Sequence, residues 1–337
     1  MEQKKSKVTI TDVANACGLS IKTVSRVINN SENVSVRTRN IVNQAIQDLG
    51  YKTNILARGL RGNKTNVIMI MTDRHEEEHL SSWHTLMLKY LFSYARKRHL
   101  KVIMAPSSAT NFISDETDGY YMLDNGLVDG VIFLEHVPND PRCEFLKENG
   151  IPFVLFGETE DDTVWSVSLD NYQVGFKGGR YLTGRGYRDI VFLLGDPKFN
   201  SNGERARGFL DAANETKGNY RVRYGISTVD LAYRTAKDIL ENESVDAFFV
   251  SGDERAIGVY RAIQEAGYQI PKDIAVLGID NIPIGNYLHP RISTVDQDFD
   301  VMARECVSLL AKQINGEDIG MKRKVTYMSS VVEREST

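Results

Sequence analysis

The chain has 337 residues, 42% of them hydrophobic, with a formal net charge of -4, which is ample for sizeable cores in two or three units and typical of an ordinary soluble chain. No stretch approaches the roughly 18 consecutive apolar residues of a membrane span, and the charged start MEQKKSK has no apolar run behind it, so neither a spanning helix nor a secretory leader is expected. The charge is strongly split: residues 1–66 carry 11 Lys and Arg against four acids, a balance of +7, and the remainder carries -11, which localises any attraction for phosphate to the head.

The first ordered stretch is Val8 to Asn29, VTITDVANACGLSIKTVSRVIN. Ile10, Val13, Ala14 and Cys17 recur at helical spacing behind Thr9, a good N-cap, and Gly18 stops the pattern. Ser20 can cap a second helix that turns Val24, Val27 and Ile28 one way and Lys22, Ser25, Arg26 and Asn29 the other. Two short helices joined at a glycine, the second with a donor face free of carboxylates, suit helix-turn-helix docking into a major groove. A small helical hairpin with a solvated face is the bland alternative. Ser35 can cap a third helix carrying Val42, Ala45, Ile46 and Leu49, with Gly50 as its stop. Arg37 and Arg39 near its start oppose the helix dipole, which nearby phosphates or plain solvation would relieve.

Asn54 to Gly62, NILARGLRG, has helical spacing at Leu56 and Leu60 but contains Gly59 and Gly62. Helices shorter than ~12 residues are marginal in water, so this segment should be disordered alone; a flexible linker is the competing reading.

From Asn66 onward, apolar runs alternate with helical patterns. NVIMIMTD, KVIMAPSS, VDGVIFLE and IPFVLFGE read as buried strands, with helices near 80–98, 118–126 and 141–150. RDIVFLLGD, YRVRYGI, VDAFFVSGD and DIAVLGID form a second set, with helices near 172–186, 204–216, 231–243 and 254–267. That is βαβ alternation, and two parallel-sheet lobes are expected with ligand groups at the carboxyl ends of their strands.

The head, the hinge-like segment and the two lobes together resemble the LacI/GalR family of bacterial transcriptional repressors. The likeness rests on TITDVANACGLSIKTVSRVIN, which agrees with the family signature at nearly every fixed place, and on NILARGLRG, which resembles its hinge helix. The resemblance implies a fold with an all-α helix-turn-helix head (8–53), a hinge helix (54–63) and a bilobed α/β effector domain like periplasmic binding proteins. It puts the first lobe at 64–168 plus 296–324 and the second at 169–295 plus 325–337, with crossovers near Ser168, Thr294 and Lys324. The C-terminal run VTYMSSVVERE is then assigned to the second lobe.

In that family the residues matching Ile21, Lys22 and Arg26 read base edges, while those matching Thr23, Ser25, Asn29 and Tyr51 contact or orient on phosphate. Thr9, Ser20, Asn54, Ala57 and Arg61 join the implied DNA contacts, and Leu60 matches the leucine wedged into a central base step. Thr53 stands where the family commonly has proline before the hinge. Side-chain chemistry agrees: Arg26 and Lys22 can reach guanine acceptors and Ile21 suits a thymine methyl. The expected effector residues are Asp73, Trp83, Phe199, Arg205, Phe249, Asp253 and Asp280. Arg205 matches a ligand-clamping arginine and Asp280 a ligand-binding aspartate; for Asp253, a turn or cap role competes. The aromatic residues suit a sugar, and Phe199 argues against a purine.

His75-Glu76-Glu77-Glu78-His79 fits the HExxH pattern, but it follows a strand in a charged loop rather than lying inside an amphipathic helix, so a solvated loop is the better reading and no metal is expected. Cys17, Cys143 and Cys306 show no CxxC spacing and suggest reduced thiols. The combined expectation is a cytosolic, nucleoid-associated homodimer that binds a pseudo-palindromic double-stranded operator and a small sugar or sugar phosphate. It needs no cofactor and is not an enzyme; a sugar receptor or a sugar-active enzyme are the rival classes.

Overall fold

The computed structural model describes residues 8–28, 33–52, 64–74, 80–320 and 323–337. It divides into two compact units, Met1–Thr65 and Asn66–Thr337. Asn29, Asn54, Ala57, Leu60 and Arg61 of the expected DNA contacts, and the His75–His79 stretch, lie outside the described residues.

The head is three helices around a small core. In α1 (Ile10–Cys17) Thr9 and Asp12 form a reciprocal capping box, each side chain accepting the other's backbone N–H. α2 (Ile21–Ile28) starts at Ser20, whose Oγ accepts the Thr23 N–H at 3.2 Å. α3 (Val36–Leu49) starts at Ser35 in the same way, through Thr38. Gly18 and Gly50 end α1 and α3 at φ 63°, left-handed caps that favour glycine. Val13, Ala14, Val24, Val27 and Val42 are buried, and Cys17, Leu19, Ala45, Ile46 and Tyr51 pack around them. Leu49, expected on the same face of α3, is 37% exposed: it belongs to the last turn, where the three-helix core has run out.

The second unit contains two six-stranded sheets. In the first, β1 (Val67–Asp73), β2 (Lys101–Ser107), β3 (Gly130–Phe133), β4 (Phe153–Phe156), β5 (Ser166–Leu169) and β11 (Lys324–Tyr327) run in the order β11-β5-β4-β3-β1-β2, all parallel. The second holds β6 (Asp189–Leu193), β7 (Asn219–Arg223), β8 (Ala247–Val250), β9 (Ala275–Asp280), β10 (Ser293–Asp296) and β12 (Ser330–Val332), ordered β12-β10-β9-β8-β6-β7, with only β12 antiparallel. The connecting helices are α4 (Ser82–Lys97), α5 (Tyr120–Asp124), α6 (Pro141–Glu148), α7 (Asn171–Gly184), α8 (Asn200–Asn214), α9 (Val229–Asn242), α10 (Asp253–Glu265) and α11 (Phe299–Asn315). Every residue of β1, β3, β5, β8 and β9 is buried, as helices on both faces of a parallel sheet require.

The chain crosses between the lobes three times. It leaves the first sheet after β5, and returns after β10 as α11, which packs on the first lobe: Asp300 accepts the Tyr94 hydroxyl at 2.9 Å and Gln313 donates to the Phe153 carbonyl at 3.1 Å. The third crossing differs from the expectation near Lys324. β11 pairs with β5, so Lys324–Tyr327 belongs to the first sheet and only β12 reaches the second. The sequence reads as one apolar run because it extends an edge of each sheet in turn, with the break at Met328 and Ser329.

Candidate functional site

On the head, α2 turns Val24 and Val27 inward and leaves Ile21, Lys22 and Arg26 exposed on its outer face. Ile21 is 43% exposed, a large apolar side chain with no core to join at the start of a helix flanked by cations. Thr23 and Ser25 are half-buried beside it, and the Ser20 and Thr23 hydroxyls lie 2.9 Å apart, so the two polar residues hold the helix start in place. Thr9 and Ser20 are exposed at the two N-caps, and Tyr51 packs on the core with an edge still open to solvent. A rigid, acid-free surface of this kind can present side chains to base edges and hydroxyls to phosphates.

In the second unit, a cavity of about 950 Å³ opens between the lobes at the carboxyl ends of both sheets, the place and size usual for a small-molecule site. Four of the expected residues line it: Trp83, Phe199, Arg205 and Asp280. Trp83 stands in the first turn of α4, its ring near-parallel to Phe156 and Phe299 at 6.0 and 6.2 Å. Arg205 extends from α8, donating Nε to Asn171 Oδ1 at 2.8 Å and Nη1 to Ser251 Oγ at 3.0 Å. Burial depresses its guanidinium to about 10, against the opposing field of Asp280.

α8 reaches that position because two glycines let it touch α7. A Cβ at Gly175 would lie 1.9 Å from the Arg205 carbonyl oxygen, and one at Gly208 would lie 2.0 Å from that of Tyr172. Asp280 closes β9 with φ 112°, and its carboxylate accepts the Gln297 side-chain amide. Burial raises its carboxyl to about 6, although Arg205 and Arg255 pull the other way.

The remaining three expected residues are placed differently. Phe249 is fully buried with its ring stacked 3.9 Å from Phe192, inside the core rather than on the cavity wall. Its strand is covered on both faces, so a strand-end aromatic need not face the ligand. Asp253 is also fully buried, accepting the Thr294 hydroxyl at 2.7 Å and the Ile282 N–H at 3.0 Å; it ties α10 to the neighbouring strand, and burial raises its carboxyl well above the usual range. Asp73 sits behind the lining, 2.8 Å from Lys198 Nζ of the other lobe and 3.7 Å from Arg142 Nη1.

Sequence reasoning missed Asn171, Glu158, His136, Lys198, Arg255 and Gln297, all of which line the cavity. Asn171 and Lys198 follow strand ends, so the carboxyl-end rule could have found them; Gln297 lies on a crossover and Arg255 inside a helix. Glu158 accepts the Asn171 N–H at 2.9 Å, and burial raises its carboxyl. His136, depressed by burial, faces Gly157, where a Cβ would come within 3.1 Å of its Nε2. Among the described residues no group of three His, Cys, Asp or Glu side chains could hold a metal ion, and no helix is long and apolar enough to cross a membrane.

Residues 9–54 match the family model for bacterial regulatory proteins of the lacI family, and residues 180–337 match that for a periplasmic binding protein-like domain. The HTH-type transcriptional repressor PurR of Escherichia fergusonii is 30% identical over 314 residues, 91% of this chain and 90% of that protein. The chain belongs to the lacI family. A second member, the HTH-type transcriptional regulator CelR of Thermobifida fusca, is 28% identical over 323 residues, 94% of each chain. The solved structure of a CelR–cellobiose complex superposes with a TM-score of 0.73 at 26% identity, covering 98% of this chain and 100% of that one. As a lacI-family member the chain is a DNA-binding transcriptional regulator with an effector domain. α2 and the interlobe cavity are the candidates for its DNA-reading helix and its effector site.

Proposed function

We propose that this regulator is a cytoplasmic homodimeric repressor of a carbohydrate-utilisation operon, without enzymatic activity, released or engaged by a small sugar or sugar phosphate. The working division is a reading head at 8–53, a hinge at 54–63 and an effector domain beyond it. Ile21, Lys22 and Arg26 choose the sequence; Thr9, Ser20, Thr23, Ser25, Asn29 and Tyr51 fix the head on phosphates; Asn54, Ala57, Leu60 and Arg61 act at the centre of a pseudo-palindromic operator. The observation that carries this reading is one chain holding both an acid-free recognition face on α2 and an interlobe cavity with a Trp83 wall and an Arg205–Asp280 floor. A carbohydrate is favoured because an indole face and a buried guanidinium with a carboxylate match the apolar face and the hydroxyls of a sugar ring. The relative CelR, solved with cellobiose, supports the same class.

An effector that binds one lobe arrangement better shifts operator affinity by its differential binding, typically ~1 to 3 kcal/mol. The test is selection of operator from random duplexes, followed by anisotropy titrations with a sugar panel. Arg26→Ala should relax base preference by ~1 to 3 kcal/mol at one position while leaving affinity for random duplex nearly unchanged. Equal weakening on selected and random DNA would remove Arg26 from base reading.

A further inference from the structure

We propose that the effector carries an anionic group, a phosphate or a carboxylate, received by Arg255 together with Arg205. This rests on the effector-site reading above and narrows the ligand class for it. Arg255 stands in the first turn of α10, at the carboxyl end of β8, and lines the cavity beside Arg205. Its guanidinium occupies space left by two glycines: a Cβ at Gly252 would lie 2.7 Å from Nε, and one at Gly195 3.1 Å from Nη1. The fold has thus made room for a cation at the strand ends.

Neither guanidinium makes an ion pair among the described residues. Arg255 donates Nη1 to the Ile226 carbonyl oxygen at 2.7 Å, and Arg205 donates to the neutral Asn171 and Ser251 side chains. The carboxylates that face them are Asp280, Glu158 and Glu254. Each has a neutral donor of its own: Asp280 the Gln297 amide, Glu158 the Asn171 N–H, and Glu254 the Ser82 N–H at 2.7 Å. Burial lowers both arginines, the signature of charge held away from water without full compensation. Hydroxyl groups could satisfy the free N–H donors but not the charge. A planar carboxylate or a phosphate satisfies both, and bidentate guanidinium contacts are the usual means. Lys198, 41% exposed at the rim, is by contrast already paired with Asp73 at 2.8 Å and with Asp196 at 3.9 Å, so the two arginines alone carry the site.

The experiment is calorimetric titration of the full-length protein, its Arg255→Met variant and its Arg255→Lys variant with cellobiose, glucose 6-phosphate, gluconate and inorganic phosphate. At least one anionic probe should bind the wild type, weaken by about tenfold or more in Arg255→Met, and recover most of the loss in Arg255→Lys. Glucose 6-phosphate against gluconate separates the two sources of charge, and inorganic phosphate should compete with a phosphate-bearing ligand. Binding of cellobiose alone, unchanged in Arg255→Met, overturns the anion site and leaves a sugar-controlled regulator standing. Silence of all four probes on the wild type counts against both readings. If Arg255→Met proves unfolded by its thermal midpoint, the wild-type panel and Arg255→Lys still decide the matter.

Discussion

Lys198 and Asp73 belong to different lobes and meet at 2.8 Å beside the cavity, so an ion pair spans the cleft that an effector must enter. A second tie runs parallel to it, where Glu254 of α10 accepts the Ser82 N–H at the start of α4. The anion at a helix N-terminus is favourable, and both contacts must break for the lobes to part.

Lys198→Ala should loosen the contact between the lobes rather than the fold. The lysine is 41% exposed and Asp73 retains Arg142 at 3.7 Å, so the loss of stability should stay below about 1 kcal/mol. Hydrogen exchange at the Ser82 amide should quicken and the ligand-free radius of gyration should rise. Unchanged exchange and scattering would show that the bridge does not restrain the lobes.

Gly208→Ala should impair the effector site from a distance. The added methyl meets the Tyr172 backbone oxygen at 2.0 Å, so α7 and α8 must separate, carrying Arg205 away from Asn171 and Ser251. Effector affinity should fall more than tenfold, roughly the value of one charged hydrogen-bonding group, with a lowered thermal midpoint. Operator binding by the ligand-free protein should keep its base preference. Full effector affinity in a folded variant would mean the crossing does not set the arginine.

Asp280 makes stability depend on pH. Its carboxyl is raised to about 6 by burial, so the folded state holds a proton that the unfolded state, at the ordinary value of 3.8, has released. Stability therefore falls as pH rises from about 4 to 6, by roughly 2 to 3 kcal/mol for this group alone. Asp280→Asn keeps an acceptor for Gln297 and removes the titration. It should be more stable than wild type at pH 8 and no more stable at pH 4. A difference between the two proteins that does not vary with pH would refute the assignment.

The capping box tests the head. Thr9→Ala removes the hydroxyl that accepts the Asp12 N–H and should cost about 1 kcal/mol of head stability. The Thr9 hydrogen bonds hold the Asp12 carboxyl below its usual value, so its contribution is present above pH 3.8 and is lost as pH falls through the depressed value. Circular dichroism of both proteins between pH 2 and pH 7 should converge at the acid end. Parallel curves would rule out coupling through Asp12.

Legibility followed the range of the interactions. The apolar spacing of Ile10, Val13, Ala14 and Cys17 and the Thr9 and Ser35 caps are local, and the structure reproduces them. Of the four expected residues that line the cavity, Asp280 follows from the strand-end rule for parallel sheets, Trp83 and Phe199 from their aromatic faces, and Arg205 only from the family resemblance, since it stands in the second turn of its helix. Phe249 and Asp253 obey the same rule and miss the cavity. A strand buried on both faces shows no alternation, so nothing in AFFV tells that both its phenylalanines face a core and neither reaches the cavity. The third crossover was misjudged because Val325 and Val331 lie in one continuous run that serves two sheets.

The sequence by itself determined a three-helix head with an exposed, acid-free face on α2, followed by two lobes of parallel sheet, because caps, helical periodicity and βαβ alternation depend on residues near one another in the chain. Only the tertiary structure decided that Arg255 stands beside Arg205 over the same cavity and that Lys198 reaches Asp73 across it. Those side chains are separated by 50 and 125 residues. Their meeting is set by the packing of α7 on α8 and by the order of strands in each sheet, which no local spacing encodes.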